Sequence, residues 1–576
     1  MNSDRLLEQY EKIAEAPEAI SRLRSFILDL AVRGKLLSQD ARDEKASELL
    51  KRVAKEKARL MKAGEIRAPK ALPEIALPPF DLPLNWSWTQ LAEIGILSPR
   101  NTADDDQHAS FVPMPLIAAE YGVANGHDIR PWKDIKKGYT HFAEGDVGLA
   151  KITPCFENGK STVFRGLMGG IGSGTTELHV VRPVFVQPDY ILLFLKSPHF
   201  IETGIPRMTG TAGQKRVPTE YFAHSPFPLP PLPEQHRIVA KVDELMALCD
   251  QLEAARTARE ATRDRLAAAS LARLNSPDPE TFADDAHFVL DALPALTARP
   301  DQIKQLRQTI LNLAVRGKLV PQDPGEEPAE ELLKRITRKR TARLKAGTIP
   351  KPKVTSRDVT RFSEGLPIHW SPIALGDVCD LVTSGSRGWA EYYADSGPGF
   401  VRAQNIRFGR MRLDDLAFVR PPSNSEGGRT QVSKYDLLIV ITGAGVTNPA
   451  LLERDLGEAY VSQHVGLVRP SDPQLSPWLL LCLMADAGGR SELVQRAYGA
   501  GKPGLNLDNI RSLSVPLPPL AEQHRIVAKV DDLMALCDQL EASLTIANEI
   551  RRKLLDALLA EALAPVNAKD LQEAAE

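Results

Sequence analysis

The chain has 576 residues, of which 43% are hydrophobic and 25% are charged, and its formal net charge at pH 7 is −2. This is the composition of an ordinary soluble protein with several domains, and it argues against a disordered chain or a uniformly basic protein that coats DNA. The N-terminal stretch is charged, and no apolar run reaches the ~18 residues of a membrane span, so we expect a cytoplasmic protein. The five cysteines form neither a CxxC pair nor a His/Cys cluster, which predicts buried thiols without a metal.

The chain opens with two predicted helices that each end at a glycine. The first helix stops at Gly34 in the run AVRGKL, where a left-handed C-cap is expected. The second helix carries ELLKR at residues 48–52 and stops at Gly64. Both helices recur later in the chain, with Gly317 and Gly347 at the matching stops. The apolar residues of the first helix recur at steps of three and four, at Ile20, Leu23, Ile27 and Leu30, and again at Ile303, Leu306, Ile310 and Leu313.

A basic patch includes the end of each ELLKR run. Residues 334–353 carry nine basic residues and no acidic one, and residues 51–70 carry eight basic and two acidic residues. Such patches suit contact with DNA phosphates, but they also occur on the solvated face of an ordinary helix. The sequence leaves both interpretations open.

Two divergent segments, residues 82–228 and 366–516, follow the helix pairs, and we name them the first and second variable segments. Each begins with a tryptophan-containing run, at Trp86 and Trp370, and contains short apolar runs separated by glycine and proline. This pattern predicts mixed α/β domains with modest strands. One fold with two different surfaces is expected. A few positions still correspond: Asp146-Val147 with Asp436-Leu437, and Val181-Arg182-Pro183 with Val468-Arg469-Pro470.

A long helix motif occurs twice almost unchanged. Residues 229–254 read LPPLPEQHRIVAKVDELMALCDQLEA, and residues 517–542 differ only at Pro233/Ala521 and Glu244/Asp532. Helical signals begin at Glu234 and Glu522, after a proline-rich run. Apolar residues at steps of four and three then indicate a coiled-coil seam, at Ile238, Val242, Leu245, Cys249 and Leu252, and at Ile526, Val530, Leu533, Cys537, Leu540 and Leu544.

The order of elements is helix pair, variable segment and long helix, repeated once. The stretch 276–300, rich in proline and aspartate, is interpreted as the join between the copies. We therefore predict an α+β protein in which two mixed α/β domains are separated by long antiparallel coiled-coil helices, with an internal pseudo-two-fold repeat. The predicted regions are a helical region at 1–81, domains at 82–228 and 366–516, a central helical region at 229–365 and a C-terminal helix at 517–576.

This arrangement resembles the specificity subunit of Type I restriction-modification systems over essentially the whole chain. The resemblance is carried by PLPPL-x-EQHRIV before a long heptad helix, present twice, and is supported by AVRGKL and the LP-x-x-W openings. It implies that the variable segments are target recognition domains, each reading one half of a split site in double-stranded DNA. It also implies that the repeated helical regions bind two methyltransferase subunits, and that restriction subunits join the full complex.

The physical logic of a duplicated reader agrees with that resemblance. Two copies of one fold in one chain give an approximate two-fold axis like that of a dimer on DNA, and their divergence allows the half-sites to differ. The target is therefore expected to be bipartite and asymmetric. No cofactor is expected on this chain, whereas S-adenosylmethionine, ATP and Mg²⁺ are expected on the partner subunits.

The motifs that would make the chain itself an enzyme are incomplete. Adenine methyltransferases need [DNS]PP[YFW], and the nearest string, Leu77-Pro78-Pro79-Phe80, begins with a side chain that cannot accept a hydrogen bond from the base. A phosphate loop needs GxxxxGK[ST], and Gly159-Lys160-Ser161 has Pro154 in place of the leading glycine. We therefore expect a non-catalytic subunit.

Candidate DNA-reading residues combine base-reading side chains with flexible glycines. Each stretch is also consistent with an ordinary surface loop. If these residues contact DNA, we expect contacts with phosphates as often as contacts with bases. In the first variable segment the candidates are Gln214, Lys215 and Arg216 of the run TGTAGQKR. In the second they are Ser384, Ser386 and Arg387, and Arg402, Gln404, Asn405 and Arg407.

The first turns of the two long helices are the candidate partner-binding sites. Their histidines lack a carboxylate or cysteine at ligand spacing, which favours packing or partner contact over catalysis. The candidates are Glu234, Gln235, His236 and Arg237, and Glu522, Gln523, His524 and Arg525. The alternative function is a coiled-coil scaffold that links two protein-binding modules, and salt-dependent duplex binding would separate the two hypotheses.

Overall fold

The computed structural model describes residues 15–67, 71–75, 77–211, 213–276, 278, 280–351, 365–421, 429–498 and 503–563. Its internal contacts divide the chain into two units. Unit 1 comprises residues 1–259 and 547–576, and unit 2 comprises residues 260–546. Each unit therefore contains one copy of the repeat together with the end of a long helix that begins in the other copy.

The described part of unit 1 contains two helices, then a mixed segment and then a long helix. Its helices are α1 Ala19–Val32, α2 Ala46–Lys62, α3 Leu91–Ile94, α4 Trp132–Ile135, α5 Pro188–Lys196, α6 Pro198–Gly204, α7 Thr219–His224 and α8 Leu232–Asn275. Its strands are β1 Ser87–Thr89, β2 Gly95–Leu97, β3 His108–Val112, β4 Asp128–Pro131, β5 Thr140–Ala143, β6 Val147–Ala150, β7 Ser161–Val163, β8 Ile171–Gly174, β9 Leu178–Pro183 and β10 Phe227–Leu229. They form sheets in the orders β2-β9-β6-β7, β4-β3-β8-β5 and β1-β10.

Unit 2 repeats this order. Its helices are α9 Phe282–Asp291, α10 Leu293–Leu296, α11 Pro300–Val315, α12 Ala329–Lys345, α13 Ser476–Met484, α14 Ser491–Tyr498, α15 Leu507–Arg511 and α16 Leu520–Leu563. Its strands are β11 Ser371–Ala374, β12 Cys379–Ser384, β13 Tyr393–Val401, β14 Ile406–Arg407, β15 Arg410–Met411, β16 Ala417–Val419, β17 Leu437–Val440, β18 Pro449–Leu451, β19 Ala459–Val461, β20 Val465–Pro470 and β21 Ser514–Leu517. The sheet β12-β20-β17-β18 has the same order and antiparallel pairing as β2-β9-β6-β7. The predicted mixed α/β character and internal repeat are confirmed.

The predicted glycine caps are present in both copies. Gly34 and Gly317 both have φ of +67°, and the amide that follows each donates 3.0 Å back to the carbonyl of Leu30 or Leu313. A Cβ at Gly34 would lie 2.5 Å from Pro83, and one at Gly317 would lie 2.6 Å from Pro367. Only glycine therefore satisfies both the left-handed backbone and the close approach of the loop that opens each variable segment.

The long helices begin two residues earlier than predicted, at Leu232 and Leu520. Pro233 is tolerated there because the first-turn amide it lacks would have no intrahelical partner. The coiled-coil interpretation of their first turns is also incomplete. Ile238, Val242 and Cys249 are buried in the core of unit 1 with α1 and the first variable segment, while Leu252 is exposed. The antiparallel pairing of α8 with α16 stays a prediction.

A short helix in each unit lies between parts of both long helices. In unit 1, Arg24 of α1 donates to Asp250 and Glu253 of α8 at 2.7 and 2.9 Å. Ala19 of the same helix shares an apolar cluster with Leu555 and Leu558 of α16. In unit 2, α11 makes the equivalent contacts, from Arg307 to Asp538 and Glu541 of α16 and from Asn312 and Thr309 to Asn275 of α8.

The predicted join, residues 276–300, is more ordered than its composition suggested. It carries α9 and α10, and Val289 and Leu296 of these helices pack with Ala267 and Leu274 of α8. Proline and aspartate occupy the starts of these short helices, where both are compatible with helical structure. None of the described helices is both long and apolar enough to cross a membrane.

Candidate nucleic-acid interface

Each variable segment is anchored to its long helix by one buried carboxylate. Trp86 donates from Nε1 to Glu234 at 3.0 Å, and Gln39 donates to the other carboxylate oxygen at 2.8 Å. In unit 2, Trp370 and Gln322 donate to Glu522 at 2.9 and 2.6 Å. Burial raises the pKa of both carboxyl groups, and the donated hydrogen bonds oppose that rise. The tryptophan that opens each variable segment thus fixes the segment to the helix.

The partner-binding prediction is wrong for the buried members of these helix turns. Glu234, Gln235, Glu522 and Gln523 are at most 1% exposed, so no partner surface reaches them. Gln235 and Gln523 donate to the carbonyls of Pro230 and Pro518, which closes the first turn. Sequence identity between the copies could not separate core positions from surface positions. Of the remaining candidates, His236 and His524 are exposed, while Arg237 pairs with Asp43 at 2.5 Å and Arg525 pairs with Glu326.

A matched ion pair sits inside the main sheet of each variable segment. Arg182 of β9 donates to Asp146 at 2.8 and 2.9 Å, and Arg469 of β20 donates to Asp436 at 2.8 and 2.6 Å. Burial raises the pKa of both aspartates against the opposing effect of the arginines. The strand register is also the same in the two segments, because Val147 pairs with Val181 and the corresponding Leu437 pairs with Val468. The residues that correspond in sequence therefore build one scaffold twice.

The first candidate DNA-reading loop packs beside the main sheet of unit 1. Thr209 and Arg216 exchange backbone hydrogen bonds at 3.0 and 2.8 Å, which closes the loop between them. Gln214 and Lys215 are exposed at its tip, whereas Arg216 forms a bidentate ion pair with Glu177. Ala212 of this run lies outside the described residues. The loop thus presents polar side chains together with a paired arginine.

Three residues of the second candidate group are held by hydrogen bonds to Asp415. Asn405 is fully buried and donates to Asp415 at 3.0 Å, so it cannot read a base. Gln404 donates to the same carboxylate at 3.0 Å, and Arg402 donates to the backbone carbonyl of Asp415 at 2.7 Å. These hydrogen bonds close a turn, on which Gln404 is exposed and Arg402 is half-buried. Arg407, at the end of β14, is exposed.

The third candidate group, Ser384, Ser386 and Arg387, follows strand β12. Arg387 is exposed and the two serines are half-buried. A Cβ at Gly385 would lie 2.0 Å from the carbonyl oxygen of Val461, so the loop lies directly on the turn between β19 and β20. That turn contains exposed Gln463 and His464, and sequence reasoning missed both. Their position just before β20, the strand that carries the matched Val-Arg-Pro run, could have pointed to them.

The chain is 39% identical over 559 residues to the specificity subunit of the Type I restriction enzyme EcoAI of Escherichia coli, an alignment covering 94% of this chain and 93% of that protein. The chain belongs to the Type I specificity subunits. The EcoEI specificity subunit of Escherichia coli is also 39% identical, over 569 residues and 94% of each protein. A family model described as "Type I restriction modification DNA specificity domain" matches residues 367–552 of this specificity subunit.

A solved structure supports the fold of this specificity subunit. It comes from work entitled "Structural basis underlying complex assembly and conformational transition of the type I R-M system" and superposes with a TM-score of 0.51 at 19% identity. The match covers 84% of this chain and 99% of that chain. The similarity therefore extends over both copies of the repeat.

Several basic residues in each patch of this specificity subunit bind neighbouring groups of the same chain. Lys57 of α2 is buried and donates to the carbonyls of Ala92, Glu93 and Gly95. The last residues of both patches lie outside the described part of the chain. This pairing favours the solvated-face interpretation over direct DNA contact. Within the described residues the ion pairs of the patches are Lys51–Glu48, Arg52–Glu44, Arg59–Glu56, Arg59–Glu65, Lys334–Glu331, Arg335–Glu327, Lys339–Asp472 and Arg343–Asp380.

Proposed function

We propose that this specificity subunit reads a bipartite, asymmetric site in double-stranded DNA. The variable segments, 82–228 and 366–516, act as target recognition domains, each reading one half of the site. The observation that carries this proposal is the contrast between scaffold and surface. The tryptophan anchors and the sheet ion pairs are the same in both segments, whereas the polar loops beside each sheet differ. A common scaffold with different loops suits two half-sites of different sequence.

Replacing the first variable segment, residues 82–228, with the corresponding segment of another specificity subunit tests this proposal. We expect one half of the methylated motif to change and the other half to stay the same, since each segment has its own sheet and its own anchor. The measurement is genome-wide mapping of N6-methyladenine in cells that carry the matching methyltransferase. Exchange of residues 366–516 is the matched control and should change only the opposite half. A change in both halves from one exchange would refute modular reading.

The exposed faces of the long helices are proposed to dock two copies of one partner, the methyltransferase subunit, with restriction subunits joining the assembled complex. Positions that are exposed in both helices are nevertheless identical, including His236/His524, Ala240/Ala528 and Leu248/Leu536. Packing within the chain does not require identity at exposed positions. Two Leu side chains that are 46% and 53% exposed at matching places suit a shared apolar contact with a partner.

Substituting Leu248→Lys or Leu536→Lys is expected to remove one methyltransferase subunit each from the complex. A buried lysine at the centre of an apolar contact costs binding energy, and hot-spot losses reach about 2 kcal/mol or more. The double variant should lose both partners, which native mass spectrometry of the assembled complex would count. Ala261→Lys, at an exposed position of α8 beyond the repeated stretch 229–254 and with glutamate at the matching place in α16, is the control and should retain both partners. Full retention by the Leu248→Lys and Leu536→Lys double variant would contradict the docking proposal.

The scaffold alternative, in which both variable segments bind proteins, makes a different prediction for DNA. A DNA reader loses duplex affinity steeply with salt because phosphate contacts release counterions. Binding of a duplex library by the complex with methyltransferase at two salt concentrations separates the two functions. The absence of salt-dependent, sequence-selective binding would favour the scaffold.

A further inference from the structure

We infer that both recognition domains read bases with the same edge of the same sheet, and that Gln463 and His464 are base-reading residues of the second domain. This inference rests on the proposed function. In each domain the edge, which we name the loop edge, is formed by three segments. In the second domain they are residues 384–388, 442–448 and 462–464. In the first domain they are residues 151–160, 175–177 and 214–216.

The three segments of the second domain meet around the turn between β19 and β20. Thr442 Oγ1 and His464 Nδ1 lie 2.5 Å apart, and the amide of Ile441 donates to the carbonyl of His464 at 2.9 Å. Gly385 lies against the other side of this turn, where a Cβ would be 2.3 Å from the carbonyl carbon of Ser462. Gln463 and His464 project from the turn and are exposed. Loops far apart in sequence thus form one polar surface.

Unmet hydrogen-bonding groups mark this edge as a place where a polar ligand binds. Ser462 is 6% exposed and Thr447 is 1% exposed, and within the described residues neither hydroxyl has a hydrogen-bond partner. Thr447 also has φ of +75°, a left-handed backbone that is strained for a β-branched residue. Unpaired buried hydroxyls and local strain are costly and concentrate at binding sites.

A basic hairpin borders the loop edge of the second domain. The amide of Gly409, in the turn between β14 and β15, donates to the carbonyl of Pro449 at 2.9 Å, next to the 442–448 segment. Arg407 and Arg410 pair directly across this hairpin and are exposed. Like charges placed opposite each other repel, and in the described residues neither arginine has an acidic partner. DNA phosphates would supply the missing negative charge.

The first domain builds its loop edge from two segments that match the second domain, 151–160 after β6 and 175–177 before β9, and from a third, 214–216, whose counterpart in the second domain is the stretch at Gly504 and not 384–388. The amide of Lys151 donates to the carbonyl of Glu177 at 3.0 Å, and the amide of Thr153 donates to the carbonyl of Lys215 at 2.9 Å. Glu177 occupies the position of His464, just before the matched strand, but it pairs with Arg216 of the third segment, whereas His464 contacts Thr442 in the segment after β17. Arginine suits guanine, a carboxylate accepts from cytosine, and glutamine suits adenine. The two edges therefore present different donors and acceptors, as an asymmetric target requires.

The test uses the full complex of this chain with its methyltransferase subunits and a plasmid library randomised in both half-sites. Gln463→Ala and His464→Ala are each expected to reduce discrimination at one or two adjacent base pairs of a single half-site by about tenfold or more. Thr176→Ala, on the corresponding turn of the first domain, is the matched variant and should affect only the other half-site. Arg410→Ala should weaken binding of all sequences alike and reduce the slope of log affinity against log salt by about one.

Unchanged preference at every base pair in both Gln463→Ala and His464→Ala, with wild-type methylation, would overturn the inference while leaving the proposed function intact. If a variant methylates too slowly to score, the same library is read by equilibrium binding. A uniform loss of affinity across all sequences would then equally overturn a base-reading role. Failure of the proposed function itself looks different, because the wild-type complex would show no sequence preference in either half-site.

Discussion

Asp436→Ala is expected to destabilise the main sheet of the second recognition domain by roughly 3 kcal/mol, the lower end of the range for breaking a buried ion pair. The aspartate is 1% exposed, and its loss leaves the amide of Ser433, which donates to it at 2.7 Å, without an acceptor and leaves Arg469 with only the carbonyl of Gln431. The lower end applies because Arg469 is 33% exposed and water partly compensates its charge. Hydrogen exchange at the amides of β17 and β20 measures the effect.

The matched variant for this prediction is Asp146→Ala in unit 1. It should accelerate exchange in β6 and β9 and leave β17 and β20 unchanged, while Asp436→Ala should do the reverse. Asp436→Asn retains one acceptor for the Ser433 amide and should cost less than Asp436→Ala. Equal protection of β17 in the wild type and in Asp436→Ala would show that the ion pair does not stabilise the sheet.

Glu522→Ala is expected to detach Trp370 from α16, with a loss of about 2–4 kcal/mol in the stability of unit 2. The substitution leaves the indole N–H of Trp370 buried without an acceptor, removes one of the two acceptors of the Gln322 amide, and opens a cavity at the anchor. Glu522→Gln keeps an acceptor for Trp370 and should therefore lose less stability than Glu522→Ala. The shift in the urea midpoint, followed by tryptophan fluorescence, reports this change. An unaltered midpoint in the alanine variant would contradict an anchoring role.

The same anchor predicts a pH dependence. Burial raises the pKa of Glu522 above its unfolded value, so the folded state holds the proton more tightly than the unfolded state. Stability from this group is therefore fully present below the unfolded pKa of about 4.3 and is lost as pH rises through the higher folded pKa. Glu522→Gln should lack this decline, which a comparison of the two proteins across that window would show.

The repeat and its local signals could be predicted from sequence because they depend on neighbouring residues. Gly34 and Gly317 end their helices as expected, since a left-handed cap is a local requirement. Glu234 and Asn405 were assigned to surfaces although both are buried. Their polarity suggested exposure, but each is satisfied by donors or acceptors from distant parts of the chain. A buried polar residue can therefore be distinguished from an exposed one only when its hydrogen-bond partners are known.

The loop edge could not be found from sequence for a related reason. Thr442 and His464 lie in separate loops, and only the pairing of β17 with β20 brings them together. Arg216 was selected for its chemistry, but its partner Glu177 lies in another loop and gave no signal. Strand register determines which polar residues meet, and short strands separated by glycine do not reveal register.

The arrangement of α16 has a consequence for biosynthesis. Arg22 of α1 pairs with Asp556, 534 positions later in the chain, and Ala19 packs with Leu555 and Leu558. A ribosome therefore makes this helix 534 positions before its partner on α16. Until α16 has been made, the nascent polypeptide carries an uncovered apolar helix surface, so unit 1 cannot reach its finished form while the second copy is still being translated.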